Sequence, residues 1–423
     1  MSIRFLRIVL ASVVSAFLSG AASSAEITDM VVRQQWPWGR LVTIDYRLSA
    51  SIGETADVSV KVLAGGVVVD TIPARAFSGD LDSVAAGEHR IVFDPAAAGL
   101  DSGRAITNLA FSVSAKSPIG GKYMVIDVSA GTDAESYGVS YLDEMPVGGW
   151  QNVHKTSKIV LRRIRAGTFL MGSPADEGGR RDNEALHTVI LTNDYYIGVF
   201  PVTRGQWRKV KSDVTPGDHY TESGPAIGVS WDDIAGSGTR GEDTNVDAAS
   251  FLGLLGARVN ASLPQGYVVA FPSEAQWEYA YRAGTTTAWN NGTDYSVYTD
   301  TNNKSRDDNL TLLGLYLAVN ANNCSKTVGT YLPNAWGLYD CHGNAGELVA
   351  DTIYTDGSTR GPEITQTEPR NVKYPNYRIY RGGNWQANPS PCRSAAKTHL
   401  LRSTRDSKVG FRLAVVREVR QAN

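Results

Sequence analysis

RGGNW at positions 381–385, CRSA at 392–395 and GFRL at 410–413 form the most informative stretch of this chain. A related signature, GLYDCHGN at 337–344, precedes them. The chain is rich in glycine, with many asparagine, aspartate and serine residues, which suit turns and left-handed backbone positions. The protein that carries these motifs is therefore predicted to be rich in loops.

Further motifs extend upstream through the second half of the chain. In order, they are AGTFLMGS at 166–173, YYIG at 195–198, PVT at 201–203, GVSW at 228–231, PSEAQWEYA at 272–280 and PNAWGLYD at 333–340. Together and in this order they resemble the sulfatase-modifying-factor family, whose best-known activity is formylglycine generation. The resemblance covers about 157–418. It implies an α+β, C-type-lectin-like fold that is loop-rich, with short twisted strands and two or three helices.

Three helices are marked by local signals. Ser273 and Gln276 predict a capping box at the start of one helix, and Gly284 predicts its end. Thr203 with Gln206 repeats the capping pattern. A third helix is predicted from a set of spaced apolar residues: Phe251, Leu254, Leu255 and Val259.

Residues 26–130 alternate apolar and polar side chains in short runs, the pattern of half-buried strands. Gly65-Gly66 predicts a hairpin turn. These features favour an all-β sandwich of the immunoglobulin or fibronectin type. We expect a linker over 131–157, a second domain over 158–418 and a tail at 419–423. One set of residues is predicted to share a strand face: Val42, Ile44, Tyr46 and Leu48.

The first 25 residues resemble an export signal. Arg4 and Arg7 precede an apolar core at 8–18 that is too short to span a bilayer, and a cleavage site precedes Glu26. We expect a bacterial-type protein that is periplasmic or extracellular, with no membrane span after cleavage. The formal net charge of -2 gives no reason to expect nucleic-acid binding. In an oxidising compartment, three cysteines leave at least one unpaired within the chain.

Family members that generate formylglycine hold copper with two cysteines, and thiolates suit Cu(I). The resemblance implies that Ala387 takes the position of the first cysteine and Cys392 that of the second. Asn384 replaces a serine, and Gly346 replaces a tryptophan that shapes the active-site groove. These departures favour a calcium-stabilised binding or scaffold module. The alternative is an oxidoreductase that converts a cysteine of a client sulfatase with O2 and Cys392, and Cu(I) is expected only in that case.

The resemblance also implies a structural Ca²⁺ site. Its ligands would be the carboxylates of Asp340 and Glu347 with the main-chain carbonyls of Gly343 and Ala345, since Ca²⁺ prefers oxygen ligands. In the alternative interpretation, Asp340 caps a turn and Glu347 lies in solvent. The histidines show no His-x-x-x-His pairing, and each is expected to be exposed or hydrogen-bonded: His187, His219, His342 and His399.

The segment 384–408 lies where some lectin-like relatives carry a diversified ligand-binding surface. Its polar and basic side chains suit polar or anionic ligands, although a solvated loop face explains such runs as well. The expected partner is an extracytoplasmic protein or glycan, or a sulfatase client under the catalytic alternative. A diversified lectin-like receptor is a further alternative. The ligand-facing candidates are Asn384, Trp385, Gln386, Asn388, His399 and Arg402.

Overall fold

The computed structural model describes residues 25–34, 39–50, 55–82, 84–100, 109–116, 120–213, 221–237, 246–353, 366–367, 369 and 376–418. The predicted signal peptide, apart from Ala25, lies outside these residues, as do the tail at 419–423 and His219. Within them, no helix has the length and apolar character needed to cross a bilayer. The chain divides into two compact units, Met1–Lys122 with Gly167–Phe169 and Tyr123–Ala166 with Leu170–Asn423.

The first unit is built from β-strands. They are β1 (Glu26–Gln34), β2 (Val42–Ser49), β3 (Thr55–Ala64), β4 (Val67–Val68), β5 (Phe77–Gly79), β6 (Val84–Ala85), β7 (Gly87–Phe93) and β8 (Leu109–Lys116). One antiparallel sheet has the order β1-β2-β7-β5, and in the other β3 pairs with β4, β6 and β8. Strands of both sheets contribute to one hydrophobic core.

Two predictions for this unit are confirmed. The alternate residues of β2 that were expected to share a face are all buried in the core. The hairpin between β3 and β4 turns at Gly65 and Gly66, both of which have positive φ. The immunoglobulin-like or fibronectin-like assignment stays a prediction.

The strands that follow in the chain are short. They are β9 (Tyr123–Asp127), β10 (Gly138–Leu142), β11 (Lys158–Ile164), β12 (Gly167–Met171), β13 (His187–Leu191), β14 (Tyr195–Gly198), β15 (Tyr267–Ala270), β16 (Tyr298–Thr299), β17 (Ser305–Arg306), β18 (Gly346–Leu348), β19 (Gln366–Thr367), β20 (Tyr377–Arg381), β21 (Lys397–Leu401), β22 (Val409–Phe411) and β23 (Ala414–Arg417). In the second unit, one sheet has the order β10-β9-β11-β14-β23-β15 and another the order β21-β20-β18-β22.

Five short α-helices lie among the described residues of the second unit. They are α1 (Arg204–Val210), α2 (Trp231–Ala235), α3 (Phe251–Val259), α4 (Glu274–Arg282) and α5 (Asp308–Leu313). The capping boxes predicted at Thr203 and Ser273 are confirmed, and α3 begins after Ser250, whose side chain accepts from the Gly253 amide. Because few helices accompany these many short strands, the unit is α+β and sheet-rich, as expected.

The sequence predicted the end of the first domain near residue 130 and a linker over 131–157. The structure differs, because β9 pairs with both β10 and β11 and therefore belongs to the sheet of the second unit. The composition concealed β10, since this edge strand is only partly buried and lacks a regular apolar alternation. The second unit begins at Tyr123.

Candidate functional site

Helix α4 lies at the centre of the second unit. Its side chains are buried on every face. Glu278 accepts from Arg282 Nε at 2.8 Å and from the buried Arg381 of the RGGNW run. Burial raises the pKa of Glu278, but the charges of Arg282 and Arg381 lower it more, so the carboxylate stays ionised. The family motif thus carries a buried ion-pair network.

A second buried pair joins the GFRL run to strand β18. Arg412 Nη2 and Nε donate to the two carboxylate oxygens of Glu347 at 2.8 and 3.0 Å. The indole of Trp277 donates to the same carboxylate at 2.9 Å, and the hydroxyl of Tyr281 also contacts it. Glu347 is 1% exposed, so its predicted alternative as a solvent-facing side chain is wrong.

Asp340 opens the turn that leads to β18. Its backbone has a φ of 54°, and its carboxylate accepts from the Gly329 amide at 2.6 Å and from Asn344 Nδ2 at 3.2 Å. Burial raises the pKa of Asp340 to about 6, although the Gly329 amide offsets part of the effect. Burial disfavours the charged form of this carboxylate, and a bound cation would offset that effect. The hydrogen bonds from Gly329 and Asn344 also agree with the alternative prediction, in which Asp340 caps a turn.

The predicted calcium ligands do not share one set of contacts. Asp340, Gly343 and Ala345 belong to one turn, whereas the carboxylate of Glu347 is held by Arg412, Trp277 and Tyr281. Glu347 does not fit as a ligand in this arrangement, because an ion would have to share it with a guanidinium. Calcium at this turn stays a prediction, and of its two predicted carboxylate ligands only Asp340 is compatible with the contacts described above.

The glycine pair of the RGGNW run fits tightly over Cys392. Gly382 and Gly383 both have positive φ, and a Cβ added to Gly383 would lie 2.4 Å from Cys392 Sγ. Cys392 is fully buried, and burial raises the pKa of its thiol to about 12, although the Asn384 amide offsets part of the effect. The thiol is therefore protonated and covered at neutral pH. The chain's cysteines are all buried and unpaired: Cys324, Cys341 and Cys392.

His342 of the GLYDCHGN signature is hydrogen-bonded to the main chain of Cys392. His342 Nδ1 lies 2.7 Å from the Cys392 carbonyl, and its Nε2 accepts from the Asn290 amide at 3.2 Å. Burial lowers the pKa of His342 to about 4, so the ring is neutral and donates through Nδ1. His342 is thus a hydrogen-bonded core residue. Over the described ranges, no group of three or more His, Cys, Asp or Glu side chains could hold a metal ion.

A pocket of about 190 Å³ opens beside the RGGNW run. Ala387, the residue at the first predicted cysteine position, lines this pocket and packs against the cluster that contains Cys392. Cys392 itself does not line the pocket. The residues present therefore do not fit a two-sulfur copper site, because a methyl group faces the pocket and the thiol lies beneath its wall. The lining residues are Arg181, Tyr380, Gly383, Asn384, Ala387, Pro391, Ala396, Lys397 and Thr398.

At Gly346, where the resemblance implies a tryptophan in active relatives, the ring of Tyr380 leaves no space for a side chain. A Cβ added to Gly346 would lie 2.7 Å from a ring carbon of Tyr380, which is a wall of the pocket. The ring of Tyr380 therefore fills space that any side chain at 346 would need.

Of the ligand-facing candidates, Asn384 alone lines the pocket. His399 stands on β21 with its ring edge-on to Tyr377, and Arg402 donates to Asp232 and lies over the ring of Trp231. The remaining three candidates are partly or fully exposed and lie next to pocket-lining residues in the sequence: Trp385, Gln386 and Asn388. The sequence missed Arg181 and Tyr380, and the adjacent Gly178-Gly179 was the available signal for a closely packed loop at Arg181.

Comparisons with known proteins find similarity over the part of the chain that contains this pocket. A family model of the sulfatase-modifying factor enzyme 1-like domain matches residues 151–417. The serine/threonine-protein kinase pkn1 of Chlamydia pneumoniae is 26% identical over 279 residues, which are 59% of this chain and 37% of the kinase. The chain therefore spans little more than a third of that relative's length.

Two solved structures resemble the chain more loosely. PvdO from Pseudomonas aeruginosa is 24% identical with a TM-score of 0.43, over 60% of this chain and 94% of PvdO. Treponema denticola variable protein 1 is 21% identical with a TM-score of 0.45, over 61% of this chain and 95% of that protein. The family match includes every residue that lines the pocket.

Proposed function

The chain belongs to the sulfatase-modifying factor enzyme 1-like family through residues 151–417, and from this premise we propose that its second unit is a binding module rather than a formylglycine-generating oxidase. One observation carries the proposal: the pocket at the predicted cysteine pair is lined by Ala387, with Cys392 buried outside it. Thiolates are the nucleophiles and the metal ligands of cysteine chemistry. A single covered thiol with a pKa of about 12 supplies neither role at neutral pH.

The test is peptide oxidation. The purified protein is mixed with Cu(I) and a Cys-x-Pro-x-Arg peptide under oxygen, and peptide aldehyde is measured by mass spectrometry. We expect no aldehyde from the wild type. Aldehyde that is lost in Cys392→Ser but kept in Cys324→Ser overturns the proposal, because the control cysteine is buried elsewhere, outside the pocket. Ala387→Cys, which brings a thiol to the pocket wall, then shows whether the fold accepts a second sulfur.

The ligand in this proposal is an extracytoplasmic protein or glycan. Its support is the export-like sequence at 1–25 together with a preformed pocket, since binding sites are usually largely preformed. The immunoglobulin-like first unit would act as a spacer. Cell fractionation checks the compartment, because retention of the full-length protein in the cytoplasm contradicts export.

Calcium belongs to the proposal as a stabiliser. Its support is the buried Asp340 carboxylate, whose pKa is raised to about 6 in a turn with the carbonyl groups of Gly343 and Ala345. An ion there would offset the desolvation of the carboxylate, as oxygen ligands do in Ca²⁺ sites. Glu347 is not part of this proposal, because Arg412, Trp277 and Tyr281 hold its carboxylate.

A further inference from the structure

We propose that the pocket beside the RGGNW run binds the side-chain carboxylate of one acidic residue of the partner. This inference rests on the proposed binding function and names the ligand chemistry. Pockets for drug-sized ligands usually measure about 300–1,000 Å³. At about 190 Å³, this pocket suits a single residue rather than a whole small molecule.

Lys397, at the pocket, shares its carboxylate partner with a second cation, because Glu274 also pairs with Arg381. Glu274 and Glu278 together hold three cations, because Arg282 and Arg381 pair with Glu278 while Arg381 and Lys397 pair with Glu274. Lys397 is the outermost of the three, with 24% of its side chain exposed, and it lines the pocket. An anion entering the pocket therefore meets a cation that its carboxylate partner only partly neutralises.

The loop before β13 contributes a second cation, Arg181, to the pocket lining. Gly178 and Gly179 pass so close to Tyr295 that a Cβ on Gly178 would lie 2.5 Å from the ring. The buried Arg393 of the CRSA run fixes the loop by donating to the Gly179 carbonyl at 2.6 Å. This packing brings Arg181 to the mouth of the pocket.

Arg181 differs from its neighbour in charge pairing. Arg180 lies 4.0 Å from Asp182 and donates to the Ser173 carbonyl, whereas no carboxylate among the described residues pairs with Arg181. Asp406, whose charge acts on the Tyr380 hydroxyl of the pocket lining, is paired with Lys408. Arg181 is therefore available to a ligand.

The floor of the pocket adds a hydrogen-bond donor. Asn384 Oδ1 accepts from the Gln386 amide at 3.0 Å, which fixes the orientation of the side chain. Within the described part of the chain, the side-chain Nδ2 of Asn384 donates to no other residue, so it is available to a ligand. Two cations and an oriented amide donor make a site for a carboxylate, because charge-assisted hydrogen bonds to ionised oxygens are the strong ones.

The experiment uses the full chain and N-acetylated Ala-Xaa-Ala peptide amides in which Xaa is Asp, Glu, Asn, Gln or phosphoserine. Binding is measured by saturation-transfer difference NMR and competition at about 1 mM peptide, where weak ligands are detected. We expect the Asp or Glu peptide to bind about tenfold more tightly than its amide counterpart. Arg181→Gln should remove this preference, and the matched control Arg180→Gln should keep it.

Several outcomes overturn the inference. Equal binding of acid and amide peptides, an unchanged preference in Arg181→Gln, binding of the phosphoserine peptide alone, or no binding of either acidic peptide would each exclude a carboxylate site. Tight binding of the neutral peptides would leave the binding function standing with a different ligand class. Aldehyde formation in the peptide oxidation assay, by contrast, would remove the binding function itself.

Discussion

Replacing Glu278 by glutamine tests the buried network around α4. The carboxylate is 1% exposed, and its Oε1 accepts from the Gly172 amide and from Arg282 Nε, each at 2.8 Å. Its Oε2 accepts from Arg381. A glutamine that keeps the first oxygen would turn its amide NH2 towards the guanidinium of Arg381, so that two donors face each other.

The magnitude follows from this geometry. Removing one partner of a buried ion pair costs about 3–5 kcal/mol, because the other charge stays buried without compensation. Arg381 keeps Glu274 at 3.2 Å and the carbonyls of Ala395 and Ser394, so the lower end of that range applies. We expect Glu278→Gln to lower the free energy of unfolding of the second unit by about 3 kcal/mol.

Urea unfolding followed by near-ultraviolet circular dichroism measures this loss, since most tryptophans lie in the second unit. The control is Glu222→Gln, which breaks an exposed pair with Arg208 and should cost about 0–1 kcal/mol. The folded-state pKa of Glu278 is lowered, so its contribution is present above the ordinary glutamate pKa and is lost as the pH falls through the folded value. The difference between wild type and variant should therefore narrow below about pH 4. A cost below about 1 kcal/mol at pH 7 refutes the reasoning.

Three further outcomes are expected. Gly383→Ala should destabilise the second unit by about 3 kcal/mol more than Gly65→Ala destabilises the first, because both glycines have positive φ but only Gly383 meets Cys392; equal losses in urea titrations contradict this. No cysteine should react with a thiol reagent at pH 8 in the native protein, whereas all three should react in urea; rapid native labelling of Cys392 would place a thiolate within reach. A chelator should lower the melting temperature of the wild type but have no effect on Asp340→Ala; a wild type that ignores the chelator would leave the calcium site without support.

Local signals in the sequence predicted the helices better than the sheets. The capping residues Thr203 and Ser273 lie next to the helices they begin, so their effect can be inferred from a few neighbouring positions. Helix α5 was missed although Asp307 caps it, because its six residues give too short an apolar pattern. Strand β10 was missed, and β9 was placed in the wrong domain, because the pairing of β9 with β10 and β11 is not visible in the local sequence pattern.

The residues of the candidate site could be predicted only where they lie in or next to a recognisable motif. The RGGNW run led to Ala387 and Asn384, and both line the pocket. Arg181 could not be inferred in the same way, because its position depends on Arg393, which holds a loop more than two hundred residues away in sequence. The burial of Glu347 likewise depends on Arg412, near the end of the chain.

The position of β23 has a consequence for biosynthesis. This strand follows both β14 and β15 in the chain, yet it lies between them in their sheet. While the ribosome is still making the preceding residues, β14 and β15 have no strand to join them, and Glu347 has no guanidinium. The polypeptide therefore cannot complete this sheet, or the buried pair of Glu347 with Arg412, until β22 and β23 have left the ribosome.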